Sequence, residues 1–452
     1  MSAPTAPAVA APEGTTADGW SAYDDAVPHV TGLPALTERM GELRALRSGP
    51  SGATLADVRD VVVVASSSRG GSTLLGEVLR RTPGLLHLRA EANPLFALAG
   101  LHEGPARRRV LEAELLADLG HLPEPGDPPR RGDEVRHRLV LDLAWRLLAQ
   151  WPTLAERRSL GELLAVAVRR VGRHRDPVAA LVGALAELHQ VEPGVDLRRY
   201  DLPAERVPPR RCRAAAPCGP PGPAVVEMPP FVVPGPWVPA TAEDLRTRTL
   251  VLATPRSSFR LGFLRDLFPA ARLRVLHLVR NPAAAVNGLV DGWRHHGFFT
   301  CPVPSPLAID GYTGEVPAGD RWWCFDVPPE WAAWTDRPLP EVCAHQWTAT
   351  HLAALAGTAA VGADCHQLAF EDLVGPTERR APAIAALAEW LGLPTAALAA
   401  SASADLPVVM ATQAPAPGRW RAREAAVLAG LRAVPALPLA DALGCGDPAG
   451  WR

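Results

Sequence analysis

The chain has 452 residues, 48% of them hydrophobic, and a formal net charge of -2. That is enough for one large α/β domain with insertions, or for two domains, around a substantial core. So small a net charge gives no global field for DNA or RNA, and no apolar run is long enough to span a membrane, so the basic residues must act locally.

All 46 basic residues are Arg, which argues against a kinase or ATPase that leans on a phosphate-loop lysine. The seven cysteines are scattered, with no CxxC pair and no His/Cys metal spacing. They read as reduced thiols in a cytoplasm, with no resident metal. Abundant Ala, Arg and Pro without Lys point to a GC-rich genome.

Residues 1–35 lack the positive region and hydrophobic core of a signal peptide and read as a disordered lead to a single domain over 36–452. Val61–Ala65 reads as a buried strand. A Ser/Gly-rich turn with Arg69, Gly70, Gly71, Ser72 and Thr73 follows, and then a helix start. Strand, tight turn and helix N-terminus converge several N–H groups and a positive dipole end on one point, which suits a phosphate or sulfate. The GxxxxGK[ST] pattern is absent. Glu91 comes shortly after, in LLHLRAEANPLF, as either a helix cap or a base.

From about 104 to 192 the apolar spacing is helical, as in His137–Trp151 and Arg158–Val171, and predicts an all-helical insertion beside the cleft. Residues 201–240 are Pro-rich and read as an extended strap. Strands resume at Thr249–Pro255, Leu273–Val279 and Cys365–Leu373. Strands alternating with helices imply α/β: a P-loop-like, doubly wound parallel sheet with a large helical insertion. Arg280 ends the second of these strands, on the edge where ligands bind in such sheets. Asn281 and Pro282 suit the start of the next helix. His295 and His296, in DGWRHHGFF, are acceptor-pocket candidates and rival bases. In Pro417–Val434, Arg419 and Arg421 flank Trp420: guanidiniums suit a phosphate, and an indole can stack on a base or anchor a helix.

Three segments resemble, in order, the signatures of the sulfotransferases that use 3′-phosphoadenosine 5′-phosphosulfate (PAPS). RGGSTLL resembles the loop that holds the 5′-phosphosulfate. LFPAA with LVRNP resembles the segment whose Arg grips the 3′-phosphate. PGRWRAR resembles the Gly-x-Trp turn that closes over the nucleotide. The chain is closest in these features to bacterial relatives of the tyrosylprotein and carbohydrate enzymes. The resemblance implies Arg69 and Glu91 as catalytic residues, with Glu91 the base. It implies Arg69, Gly70, Gly71, Ser72, Thr73, Arg280, Asn287, Gly288, Arg419, Trp420 and Arg421 around PAPS. Two positions depart from the family: Gly288 stands where a Ser is usual, with Asn287 beside it, and Ala253 where the tyrosylprotein enzymes carry Lys, with Arg256 or Arg260 as substitutes. The implied reaction moves a sulfuryl group to a hydroxyl or amine of a small molecule, sugar or peptide, with no metal, nucleic acid or membrane partner.

Two other classes are compatible with the same residues. One is a non-catalytic PAP- or PAPS-binding module. The other is an ATP-dependent small-molecule phosphotransferase, with Thr73 and Asp372 holding Mg²⁺.

Overall fold

The valine run Val61–Val64 is buried on both faces of a sheet at once. Val61, Val63 and Ala65 join one apolar cluster, and Val62 and Val64 join another, because successive strand residues point to opposite sides. The computed structural model describes residues 33–47, 49–89, 92, 104–127, 132–150, 154–174, 176–192, 195, 237–254, 256–294, 300–303, 305–316, 319–403, 406, 408 and 411–451.

In chain order, α1 (Leu33–Leu46) precedes β1 (Asp60–Ala65), α2 (Ser72–Arg80) and β2 (Leu85–Leu88). Next come α3 (Gly104–Asp118), β3 (Leu119–His121), α4 (Gly132–Gln150), α5 (Leu154–Arg157), α6 (Leu160–Arg173) and α7 (Pro177–Val191). Then β4 (Val238–Pro239), α8 (Ala242–Thr247), β5 (Thr249–Leu252), α9 (Leu261–Leu267), β6 (Arg272–Val279) and α10 (Pro282–Trp293) follow. The chain continues through β7 (Thr300–Pro302), β8 (Trp322–Cys324), α11 (Leu339–Val361), β9 (Asp364–Ala369), α12 (Phe370–Leu373), α13 (Thr377–Leu391) and α14 (Thr395–Ser403). It closes with α15 (Glu424–Arg432) and α16 (Ala436–Ala442).

Among the described residues, seven strands form one mostly parallel sheet in the order β4-β3-β2-β5-β1-β6-β9. The five from β2 to β9 run parallel, and β3 and β4 add antiparallel at the other edge. The protein is therefore mixed α/β, as the strand–helix alternation predicts. β1, β5 and β6 all present their C-terminal ends on one side, which places the turn after β1 beside the turn after β6.

The region from 104 to 192 differs from the all-helical expectation. Leu119–His121 leaves the helices to pair with β2 and β4. Gly120 permits this, because an added Cβ there would overlap the Val238 carbonyl and the Trp237 indole. The helices themselves follow their sequence signals. Glu162 and Ser159 form a reciprocal cap on α6, and Asp176 with Pro177 opens α7. Helices α1, α4, α6 and α7 bury their apolar stripes in the same cluster as Val61 and Val63.

Residues 1–32 and 196–236, which hold nearly all of the expected lead and strap, lie outside the described residues. Helix α1 begins at Leu33, just inside the expected lead. Cys324, Cys343, Cys365 and Cys445 are free thiols. No single described helix is long and apolar enough to cross a membrane.

Candidate functional site

The turn after β1 is tight because two glycines have no side chain. The Gly70 N–H donates to the Ser67 carbonyl at 2.9 Å, and an added Cβ on Gly70 would overlap Ser66. Gly71 caps α2 at φ +100, and a Cβ there would overlap the Phe370 ring. Arg69 is also left-handed, at φ +62, a strained state for a residue with a side chain. Gly70 thus spends its amide on the turn. The N–H groups of Gly71, Ser72 and Thr73, at the start of α2, have no acceptor among the described residues, as expected for the first turn of a helix.

Arg280 arrives from the end of β6. Its Nη1 donates to the Arg69 carbonyl at 3.0 Å. Its guanidinium lies over Phe370 at 4.9 Å, and the Trp347 indole donates to the Arg280 carbonyl at 3.2 Å. Asn281 caps α10 through the Ala284 N–H at 2.8 Å. Glu371 accepts from Asn281 N and Nδ2 at 3.1 and 2.7 Å, so the acid of FEDL braces this turn. Asp372 pairs with Arg379.

Helix α10 carries the floor of the site. A Cβ on Gly288 would lie 3.4 Å from Arg69 Cβ and 3.9 Å from Arg280 Nη1. Both arginines therefore meet over this glycine. One turn on, Asp291 accepts from Arg419 Nη2 at 2.7 Å and from Arg423 Nη1 at 2.6 Å. Arg423 also donates to Asn287 Oδ1 at 2.8 Å. The C-terminal segment thus reaches the same helix face.

The charge is uneven. Burial first, then the charge of Arg280, pushes the Arg69 guanidinium down to about 10; Asp291 opposes this and Arg419 adds to it. Burial also lowers Arg280, with Glu371 opposing and Arg419 adding. Three guanidiniums are therefore close enough to repel one another. An anion between them relieves that repulsion, and the helix start supplies N–H groups beside them.

The structure brings Arg69, Gly70, Gly71, Ser72, Thr73, Arg280, Asn287, Gly288 and Arg419 into one region. Arg421 goes elsewhere. It lies over Trp420 at 4.8 Å and donates to the Ala449 carbonyl at 3.3 Å. Trp420 is buried in a core cluster with Trp451, so it anchors the last helices. Arg423 takes the place expected of Arg421. The sequence offers three arginines in RWRAR, and only the 3-10 geometry over Arg419–Arg423 decides which of them faces α10. Sequence reading also missed Asp291 and Phe370.

Glu91, His295 and His296 lie outside the described residues. Ala92, the neighbour of Glu91, donates its N–H to Thr254 Oγ1 at 3.3 Å, at the end of β5. The proposed lysine substitutes Arg256 and Arg260 are buried, and both act electrostatically on Asp326, whose Oδ2 accepts from the Ser68 N–H at 3.0 Å. They therefore adjoin the turn after β1. Comparison with known proteins adds no identity: no family model, no curated protein and no solved structure matches the chain.

Proposed function

We propose that this protein is a PAPS-dependent sulfotransferase with a P-loop-like, doubly wound core. One observation supports the reading most: the glycine turn after β1 and the arginine after β6 meet over Gly288, where the charges of Arg280 and Arg419 both act on Arg69. A donor with phosphate groups at both its 5′ and 3′ positions needs two adjoining anion subsites on one sheet edge. The turn of Arg69–Thr73 suits the 5′-phosphosulfate. Arg280, Arg419 and Arg423 suit the 3′-phosphate.

In the proposed reaction an acceptor oxygen or nitrogen attacks sulfur. The bond from sulfur to the bridging oxygen breaks, PAP leaves, and the acceptor proton passes to a base, for which Glu91 remains the choice. Arg69, the first-turn N–H groups of α2 and the Ser72 and Thr73 hydroxyls stabilise charge on the transferring group and on the leaving phosphate. Gly288 removes the family hydroxyl, and the Arg423–Asn287 pair supplies polar groups in its place.

The test is conversion of PAPS to PAP across a broad acceptor panel, with Arg69→Ala alongside. Turnover should fall about a hundredfold or more, and PAP affinity should fall much less, because PAP keeps the 5′-phosphate but lacks the transferring sulfuryl group on which Arg69 acts in the transition state. Binding of PAPS without turnover on any acceptor would favour the non-catalytic module. Unchanged turnover in Arg69→Ala would give Arg69 a structural role.

A further inference from the structure

Asp326 is a buried carboxylate that the proposed chemistry leaves unused. It is 1% exposed, and it follows β8 on a segment between α10 and α11. Oδ2 accepts the Ser68 N–H at 3.0 Å, while Oδ1 is buried with no hydrogen-bond partner among the described residues. Burial raises its pKa, against the Ser68 hydrogen bond and the charges of Arg256 and Arg260.

A carboxylate packed against an anion-binding loop is costly for that loop, so its position calls for a reason. The backbone around it supplies one. Among the described residues, four non-glycine residues have positive φ: Arg69, Arg256, Phe325 and Glu330. Phe325 precedes Asp326, Arg69 follows its partner Ser68, and Arg256 acts on its charge. Strained backbone of this kind persists only where neighbours hold it. Asp326 is itself held firmly. Its carbonyl accepts from the Trp323 indole at 2.8 Å and from Gln346 Nε2 at 2.6 Å. Gln346 in turn accepts from the Trp293 indole at 3.0 Å. Phe325 fits where Gly292 of α10 has no side chain.

We propose that Asp326 is a positioning residue for the anion loop, a role that rests on the anion-binding reading of that loop. Its carboxylate fixes the Ser68 N–H from one side. Arg280 fixes the Arg69 carbonyl from the other, at 3.0 Å. Between them the strained Arg69 is held in the conformation that presents the start of α2 to an anion. The two buried arginines keep Asp326 from repelling that anion outright.

Asp326→Asn keeps an oxygen for the Ser68 N–H and removes the charge. Asp326→Ala removes both. Hydrogen exchange of the peptide spanning Ser66–Thr73, followed by mass spectrometry, should match the parent in the Asn variant and accelerate at least tenfold in the Ala variant, with most of the rest of the chain unchanged. PAP affinity by calorimetry should then rank Asn equal to or tighter than the parent, and Ala at least tenfold weaker. A merely electrostatic residue would make both variants tighter, and a merely structural one would loosen exchange throughout. Either result, or equal loop exchange in the two variants, overturns the proposal. If Asp326→Ala does not fold, Asp326→Ser, one atom too short to reach, takes its place. If no form binds PAP, the nucleotide reading fails, and loop exchange still decides the role of Asp326.

Discussion

At the scale of single residues, the arginines divide by what they touch. Arg423 holds Asp291 and Asn287, whereas Arg421 stacks on Trp420 and reaches the Ala449 carbonyl. Arg423→Ala removes a cation and leaves the Asp291 charge less compensated, and both effects oppose an anion. PAP affinity should fall about tenfold or more, the scale of one lost charge-assisted hydrogen bond. Arg421→Ala should stay within about twofold. Calorimetry on the two variants checks the assignment, and the reverse ranking would restore Arg421 to the site. Residue types were legible in the sequence here, but their directions were not. Arg69 and Arg280 could be placed because each follows a buried strand, Arg280 directly after β6 and Arg69 in the short turn after β1, so the sheet edge fixes where each goes. No such frame exists for RWRAR, where a 3-10 turn sets the facing residue.

At the scale of elements, the glycine turn after β1 depends on a contact far away in sequence. Gly71 sits at φ +100 against Phe370, the first residue of α12, and Phe370 also lies under Arg280. Gly71→Ala therefore strains the backbone and displaces the ring that supports the second arginine. We expect a loss of about 2 kcal/mol or more in stability, read as a lower thermal midpoint, together with loss of anion binding. A variant that keeps the parent midpoint and PAP affinity would mean that the loop yields without cost. The turn itself was legible from its glycines and the valines before it. Phe370 was not, because nothing in the sequence shows that its ring packs against Gly71 and under Arg280. Glu371 does brace the second turn, through Asn281. The helical spacing between 104 and 192 is interrupted at Leu119–His121, where a glycine without a side chain lets three residues join the sheet edge.

At the scale of the whole molecule, a chain with net charge -2 concentrates guanidinium charge on one sheet edge. The parallel order β2-β5-β1-β6-β9 accounts for this, since β1 and β6 are neighbours and both end there. The α/β class was legible because the strands alternate with helices. The acceptor was not, since no motif names it and the candidate base Glu91 lies outside the described residues. The reading therefore rests on donor recognition, which one measurement tests directly: titration calorimetry of PAP against AMP. The two share the adenine, the ribose and the 5′-phosphate and differ in the 3′-phosphate. If Arg280, Arg419 and Arg423 grip that group, PAP should bind at least about thirtyfold tighter, a difference of about 2 kcal/mol. Equal affinity for PAP and AMP would contradict the account.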